Sequence, residues 1–278
     1  MANAGTTRSR GVFGFFDEMS EGVRRQGNVI FALVFKEFLA NSAGRSGLSL
    51  LWVLAEPAVF SLSMAAIWYV LRRQSMDGIP VAEFLLISML PYLIVQNSIL
   101  GISKSITRNE SFYTFQQVKP IDALLARFTL DVTLLILGAC GAMALLYWFF
   151  GQWLYLDRID HAVGELAVAA VLGLGVALLV GTYGTLHPVV YIIVGLPMRG
   201  LMILSGVIIS PADLPLEVQV YIAWNPLACL IDYFRADLFH TPHFAGSSMT
   251  FVVLVALCML FLGLVAYYPN RHRLAANR

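Results

Sequence analysis

Residues 116–150 read QQVKPIDALLARFTLDVTLLILGACGAMALLYWFF. The stretch opens polar, is interrupted by Pro120, carries Asp122, Arg127 and Asp131, and then runs to Phe150 without another charge. A helix needs about 20 largely apolar residues to cross the hydrocarbon of a bilayer, where backbone groups can be satisfied only inside a helix or a closed barrel. The stretch therefore predicts a membrane span with a charged elbow at its mouth.

Working outward, residues 48–71, 83–103, 163–186, 188–209 and 249–268 are further apolar stretches of spanning length, which with 123–150 makes six. The composition agrees: 59% of the 278 residues are hydrophobic and 13% charged, against about 45–50% and 25% in soluble domains. The expected class is an all-α integral membrane protein with six transmembrane helices. Six crossings leave both termini on one side.

Charge gives the side. The segment before the first span carries Arg8, Arg10, Arg24, Arg25, Lys36 and Arg45; the loop 104–122 carries Lys104, Arg108 and Lys119; the tail carries Arg271, Arg273 and Arg278. The opposite loops hold Arg72, Arg73, Arg158 and Arg235. By the positive-inside rule both termini and the loop 104–122 are cytoplasmic. The expected layout is a cytoplasmic segment 1–46, a membrane domain 47–269 and a cytoplasmic tail 270–278. The first segment shows no short apolar core followed by a small-residue cleavage site, so no leader is expected to be removed. A net charge of +1 supplies no field to draw in nucleic acid. Cys140, Cys229 and Cys258 are far apart, with no CxxC and no nearby His, and read as small apolar side chains.

Two segments are neither spans nor solvated loops. In the first, Phe31, Val34, Phe35 and Phe38 recur at i, i+3, i+4, i+7, with Ala32, Lys36 and Ala40 opposite, the pattern of a helix lying in the interface or packed on a partner. In the second, residues 210–240 are too broken by Pro211, Pro215 and Pro226 to cross, yet too apolar for water. Asn225-Pro226 reads as an N-cap with proline at the first helical position, followed by an apolar face of Leu227, Leu230, Ile231, Phe234 and Leu238. Two short re-entrant or surface helices are expected on the outer side.

No phosphate loop, HExxH, GxSxG or carboxylate pair with a plausible base is present. The chain reads as a non-enzyme without catalytic residues or metal ligands. The sharpest polar feature is Arg199, near the middle of an otherwise uncharged run. A central arginine costs about 2.5–3.5 kcal/mol on insertion scales, so it must face a wet cavity, an anion or a carboxylate. It either lines a path for an anionic substrate or pairs with Glu56 or Asp131, or the following segment shortens its span and exposes it. Glu56, beside Pro57, is a structural partner or a site on the same path, and Arg127 and Asp131, four apart, shield each other. Trp68, Tyr69, residues 148–153, Trp224, Tyr267 and Tyr268 sit at span ends as interfacial anchors, with stacking on sugar rings as the other use.

Three stretches together carry a resemblance: GLSLLWVLAEP (47–57), ESFYTFQQVKPIDALLAR (110–127) and WNPLACLIDYFRADLF (224–239). In this order and spacing they resemble the membrane subunit of capsular polysaccharide ABC exporters, within the type-2 ABC permeases. The resemblance implies a homodimeric pore in the bacterial inner membrane, each subunit with an N-terminal interface helix, six membrane helices, a cytoplasmic coupling helix at about 109–119 and outer gate helices at about 210–240. It implies a separate ATPase dimer that binds the ATP and Mg this chain does not, with Asn109 capping a helix whose Glu110, Phe112, Tyr113 and Phe115 seat in that ATPase. Pro120 then breaks the helix, and Lys119 and Asp122 bracket the elbow. Trp224, Asn225, Pro226, Asp232 and Arg235 would belong to the outer gate, and Arg199, Glu56, Trp68 and Tyr69 to the path of a lipid-linked, acidic polysaccharide. A periplasmic co-polymerase and outer-membrane export proteins are the further partners implied. Ala228 and Cys229 stand where the family usually has a polar residue after WNPL. Export of O-antigen, teichoic acid or another lipid-linked glycan, and a non-transporting scaffold of a glycan-synthesis complex, are the rival readings.

Overall fold

A computed structural model describes residues 12–43, 48–72, 75–114, 118–150 and 157–276. It is built of helices: α1 (Val12–Ala43), α2 (Leu48–Val70), α3 (Val81–Leu100), α4 (Ser105–Arg108), α5 (Pro120–Phe150), α6 (Ile159–Leu186), α7 (Val189–Gly195), α8 (Met198–Leu204), α9 (Leu216–Ile222), α10 (Pro226–Phe239) and α11 (Met249–Ala276). The strands described are β1 (Ser75–Met76) and β2 (Ile79–Pro80), joined by Asp77 and Gly78, both at positive φ. Asp-Gly supplies the left-handed pair that a two-residue hairpin turn requires.

Among the described residues, four helical stretches are long and apolar enough to cross a membrane: Val81–Arg108, Pro120–Trp148, Ile159–Leu186 and Met249–Ala275. Leu54–Val70 and Val189–Leu204 are shorter apolar helical stretches. The run 188–209, expected as one span, is two seven-residue helices separated at Leu196 and Pro197. Proline removes a helical donor and clashes with the preceding turn.

The bundle is organised around α3, where Phe84, Leu85, Tyr92, Leu93 and Ile94 are almost wholly buried. α2, α5, α6 and α10 pack against it. α6 and α11 meet through glycines: a Cβ on Gly175 would stand 2.5 Å from the Leu260 nitrogen, and one on Gly263 would stand 2.7 Å from the Gly175 carbonyl. Small residues of this kind let helix backbones approach closely where no hydrophobic force from water drives them together.

The broken segment runs antiparallel to α3. Tyr191 Oη donates to the Ser103 carbonyl, Tyr92 Oη donates to the Met198 carbonyl, and Gly206 lies near Ser88, both accepting from Arg235. From Ser103 to Ser88 is about 22 Å of helix rise, so α7 and α8 together climb most of the bundle despite the break.

α10 begins as the Asn-Pro pair implies: Asn225 Oδ1 accepts from the Leu227 N–H, with Pro226 at the first helical position. It is not a surface helix. Leu227, Leu230, Ile231, Phe234 and Leu238 join the core with α3 and α6 residues, and Ala228 and Cys229 are buried beside them. The small apolar pair after WNPL therefore fits a packed helix, and the Cys229 thiol donates to the Ala223 carbonyl.

Candidate functional site

The polar junction in the sequence becomes a node where three parts of the chain meet. On α1 the aromatic stripe faces outward, with Phe31 and Phe35 72% and 55% exposed, while Leu33 and Glu37 are buried against the bundle. The exposed apolar face is what an interfacial helix presents to lipid. The inward face anchors it: Gln26 Nε2 donates to Asp122 Oδ1 at 2.9 Å, and Glu37 Oε2 accepts from Arg127 Nη1 at 3.2 Å.

α5 starts at Pro120, and Asp122, two positions further on, accepts from the Lys119 N–H at 2.9 Å. A carboxylate in the first turn that closes back on the N-cap amide is half of a capping box. The KPID sequence thus makes a rigid elbow: proline pre-sets the first helical φ, and Asp122, 1% exposed, fastens both the helix start and α1.

Asn109 does not cap a following helix with its side chain, as the sequence suggested. It is 1% exposed, and its Nδ2 donates to Glu37 Oε1 at 3.0 Å and to the Ser105 carbonyl, while its Oδ1 accepts from Lys36 Nζ. Lys36 Nζ also lies 4.2 Å from the centre of the Phe112 ring, within cation–π range. Residues Glu110–Thr114 form one 3-10 turn rather than the start of an α-helix. Tyr113 turns inward, donating to the Ile106 carbonyl at 2.8 Å, and burial pushes its phenol pKa up. Glu110 and Phe112 are half-buried, Ser111 and Thr114 are exposed, and Phe115 lies outside the described residues.

Glu37 was not singled out by its sequence pattern. Burial pushes its carboxyl up, yet the Asn109 amide, Arg127 and Lys36 outweigh that and hold it below its ordinary value. The signal that marks it is its spacing from Gln26 and Leu33 on the face opposite the phenylalanines. Arg127 is shared: its Nε donates to Asp131 Oδ2 at 3.0 Å while Nη1 reaches Glu37. The expected Arg127–Asp131 pair is present, with a third member. A cavity of about 560 Å³ adjoins the elbow, lined in part by Tyr113, Lys119, Ile121, Tyr267, Arg271 and His272. The Ile121 N–H donates to Tyr267 Oη, so the end of α11, α1 and the 104–122 loop gather at one end of the bundle.

The polar loop is thus held between α1 and the first turn of α5. A family model described as ABC-2 type transporter matches residues 28–239, from within α1 to the last residue of α10. The chain belongs to the ABC-2 type transporter family. Its relatives include the polysialic acid transport protein KpsM of Escherichia coli, 24% identical over 249 residues that cover 88% of this chain and 95% of the relative. The capsule polysaccharide export inner-membrane protein CtrC of Neisseria meningitidis is 25% identical, covering 88% of this chain and 91% of the relative. BexB of Haemophilus influenzae, with the same description, is 25% identical, covering 86% and 90%. The resemblance to the membrane subunits of capsular polysaccharide ABC exporters, carried by three motifs in the sequence, is what these comparisons return.

In this ABC-2 chain the remaining candidate residues fall into three places. Arg199 is on α8, one residue after the carbonyl that Tyr92 holds at mid-bundle, and its side chain lies outside the described ones. Asp131, one of its two possible carboxylate partners, already accepts from Arg127. Glu56 is half-buried on α2; Trp68 packs against the β-hairpin cluster and Tyr69 is 70% exposed. Trp224 is 77% exposed, whereas Asp232 and Arg235 are buried. Arg235 lies 4.4 Å from the centre of the Phe84 ring, donates to the Gly206 carbonyl at 3.1 Å and pairs with Asp232 at 3.6 Å. Its geometry staples α10 to α3 and to the turn after α8. Among the described residues no cluster of His, Cys, Asp and Glu has metal-holding geometry.

Proposed function

We propose that this chain is the pore-forming permease subunit of an ABC transporter that exports a lipid-linked, acidic capsular polysaccharide across the bacterial inner membrane. The observation that carries the reading is the near end-to-end match to proteins named for capsule polysaccharide export, with 95% of the first relative covered. In this reading two copies form the pore, each with six membrane helices, α7 and α8 together making the fifth. The termini and the 104–122 loop face the cytoplasm. A separate ATPase dimer binds the ATP and Mg and docks on the turn 110–114 and on the KPID elbow. α9 and α10 stand at the outer mouth, and Arg199 offers a passing anion a transient site rather than tight binding, which would stall a polymer.

The node supports this division of labour. Closure of an ATPase dimer is a rigid-body motion, and it can be transmitted only through a contact that does not itself yield. Pro120 and the buried Asp122, which closes back on the Lys119 N–H, supply that stiffness at the elbow. Periplasmic and outer-membrane export proteins would carry the polymer onward.

Reconstitution with the cognate ATPase in proteoliposomes tests the proposal. Export of an acidic lipid-linked polysaccharide should require ATP and both subunits. Equal transport of a neutral lipid-linked O-antigen would favour a general glycan permease, and ATP hydrolysis by this chain alone would overturn the reading.

A further inference from the structure

Two buried carboxylates share one guanidinium. Glu37 on α1 is 3% exposed and Asp131 on α5 is 4% exposed, and Arg127 bonds both. The sharing is unequal. Both Glu37 oxygens have partners, Asn109 on one and Arg127 on the other. Asp131 uses only Oδ2; among the described residues its Oδ1 is buried with no hydrogen-bond partner. A buried carboxylate oxygen without a donor costs free energy that most folded proteins avoid, so its persistence asks for a reason.

Arg127 supplies one. A guanidinium carries its donors in a planar fork that matches a carboxylate through two parallel bonds. If Glu37 withdraws, the guanidinium is no longer held at Nη1 and can tilt until Nη2, which shares an edge with Nε, meets Asp131 Oδ1 and completes that fork without leaving Arg127 unpaired. Removing one member of a buried ion pair is ordinarily very unfavourable because the other charge is stranded. Here a second acceptor already waits beside the cation.

We propose that Glu37, Arg127 and Asp131 form a two-position clamp: Arg127 bridges α1 to α5 in this structure, and closes on Asp131 alone when α1 and the 109–114 turn are displaced together. Glu37 and Asp131 act as positioning residues, and neither need touch substrate or nucleotide. The two halves of the displaced body are already joined, because Asn109 is held by both Lys36 and Glu37 and Lys36 covers Phe112. Force on the turn therefore pulls α1, and the clamp converts a graded push into one of two discrete arrangements, which is what a bistable coupling element requires. The inference rests on the assignment of the 109–114 turn as the contact for an ATPase.

The test compares Glu37→Gln with Asp131→Asn in the full complex with its ATPase, reading hydrogen exchange of peptides covering residues 28–39 with and without nucleotide, and export in parallel. In the wild type, nucleotide should deprotect this part of α1. Glu37→Gln keeps an acceptor for Asn109 but not for Arg127, and should deprotect α1 even without nucleotide. Asp131→Asn removes the second position and should keep α1 protected when nucleotide is present. Export should fall in both, by between about two- and thirty-fold, the span that such couplings reach. A merely structural role would move both variants the same way; that result, or a wild type indifferent to nucleotide, overturns the clamp. Opposite shifts in a complex that exports no polysaccharide would support the clamp and overturn the export reading instead.

Discussion

The hydroxyl of Tyr92 donates to the carbonyl of Met198 at 2.7 Å, tying the middle of α3 to the first turn of α8. Tyr92 is 1% exposed, so the bond forms inside the bundle and fixes how far along α3 the broken segment 188–206 sits. Arg199 follows directly, and its height in the bundle is set by this contact. Tyr92→Phe should cost about 0.5–1.5 kcal/mol, the net worth of one such bond. Thermal unfolding in detergent reads this loss.

Arg199→Ala separates the two uses of that arginine. Loss of an anion site should slow export of an acidic polymer several-fold while the amount of inserted protein stays near wild type. A parallel fall in inserted protein and export would make Arg199 a structural partner of a carboxylate such as Glu56.

Arg235 is expected to behave as a staple. Arg235→Ala takes the guanidinium from the buried Asp232, which keeps its contact with His243, and removes the tether on the Gly206 carbonyl. Breaking a buried pair from one side costs about 3–5 kcal/mol. Folded protein recovered after purification should drop sharply. Arg235→Lys should rescue it only in part, because an ammonium cannot both stack on Phe84 and reach the same acceptors. Normal recovery of the alanine variant would show that α10 docks without it.

The docking of α1 should depend on pH with a definite sign. Glu37 has its folded-state value held below the ordinary 4.5 by Asn109, Arg127 and Lys36, against the upward push of burial. A depressed carboxyl contributes stability that is complete above the unfolded value and is lost as pH falls through the folded one. Protection of residues 28–39 from hydrogen exchange should therefore hold from neutral pH to about pH 5 and decline below the ordinary carboxylate range. Loss of protection between about pH 6 and 7 would assign the docking to some other group.

Phe112→Asp replaces a half-buried ring beneath Lys36 with a carboxylate on the expected ATPase-facing turn. Insertion should be intact, because the residue lies outside every candidate span. ATP hydrolysis by the partner should continue while export falls. Export at the wild-type rate would remove the 109–114 turn from the coupling path.

Much of the architecture is legible in the sequence. The helical class, the start of α5 at Pro120, the cap at Asn225 and the buried face of α10 follow from hydropathy, proline positions and 3.6-residue periodicity. These are properties of a short stretch of chain, and they survive whatever packs beside it. The readings that went astray involve neighbours. Asn109 has the sequence of an N-cap, but a lysine and a glutamate some seventy positions away take both ends of its amide. The run 188–209 has the composition of one span, and its division into α7 and α8 around Pro197, still following α3, is a detail that the packing adds.

The amino-acid order alone determined that this chain is helical, lives in a membrane, and carries a charged elbow ahead of α5, because burial of apolar side chains and backbone satisfaction in hydrocarbon are decided residue by residue. That Glu37 joins the Arg127–Asp131 pair was decided only by the tertiary structure. Glu37, Arg127 and Asp131 lie on two different helices, and the energy of a buried ion depends on what stands within a few ångströms of it, a distance that no stretch of sequence contains.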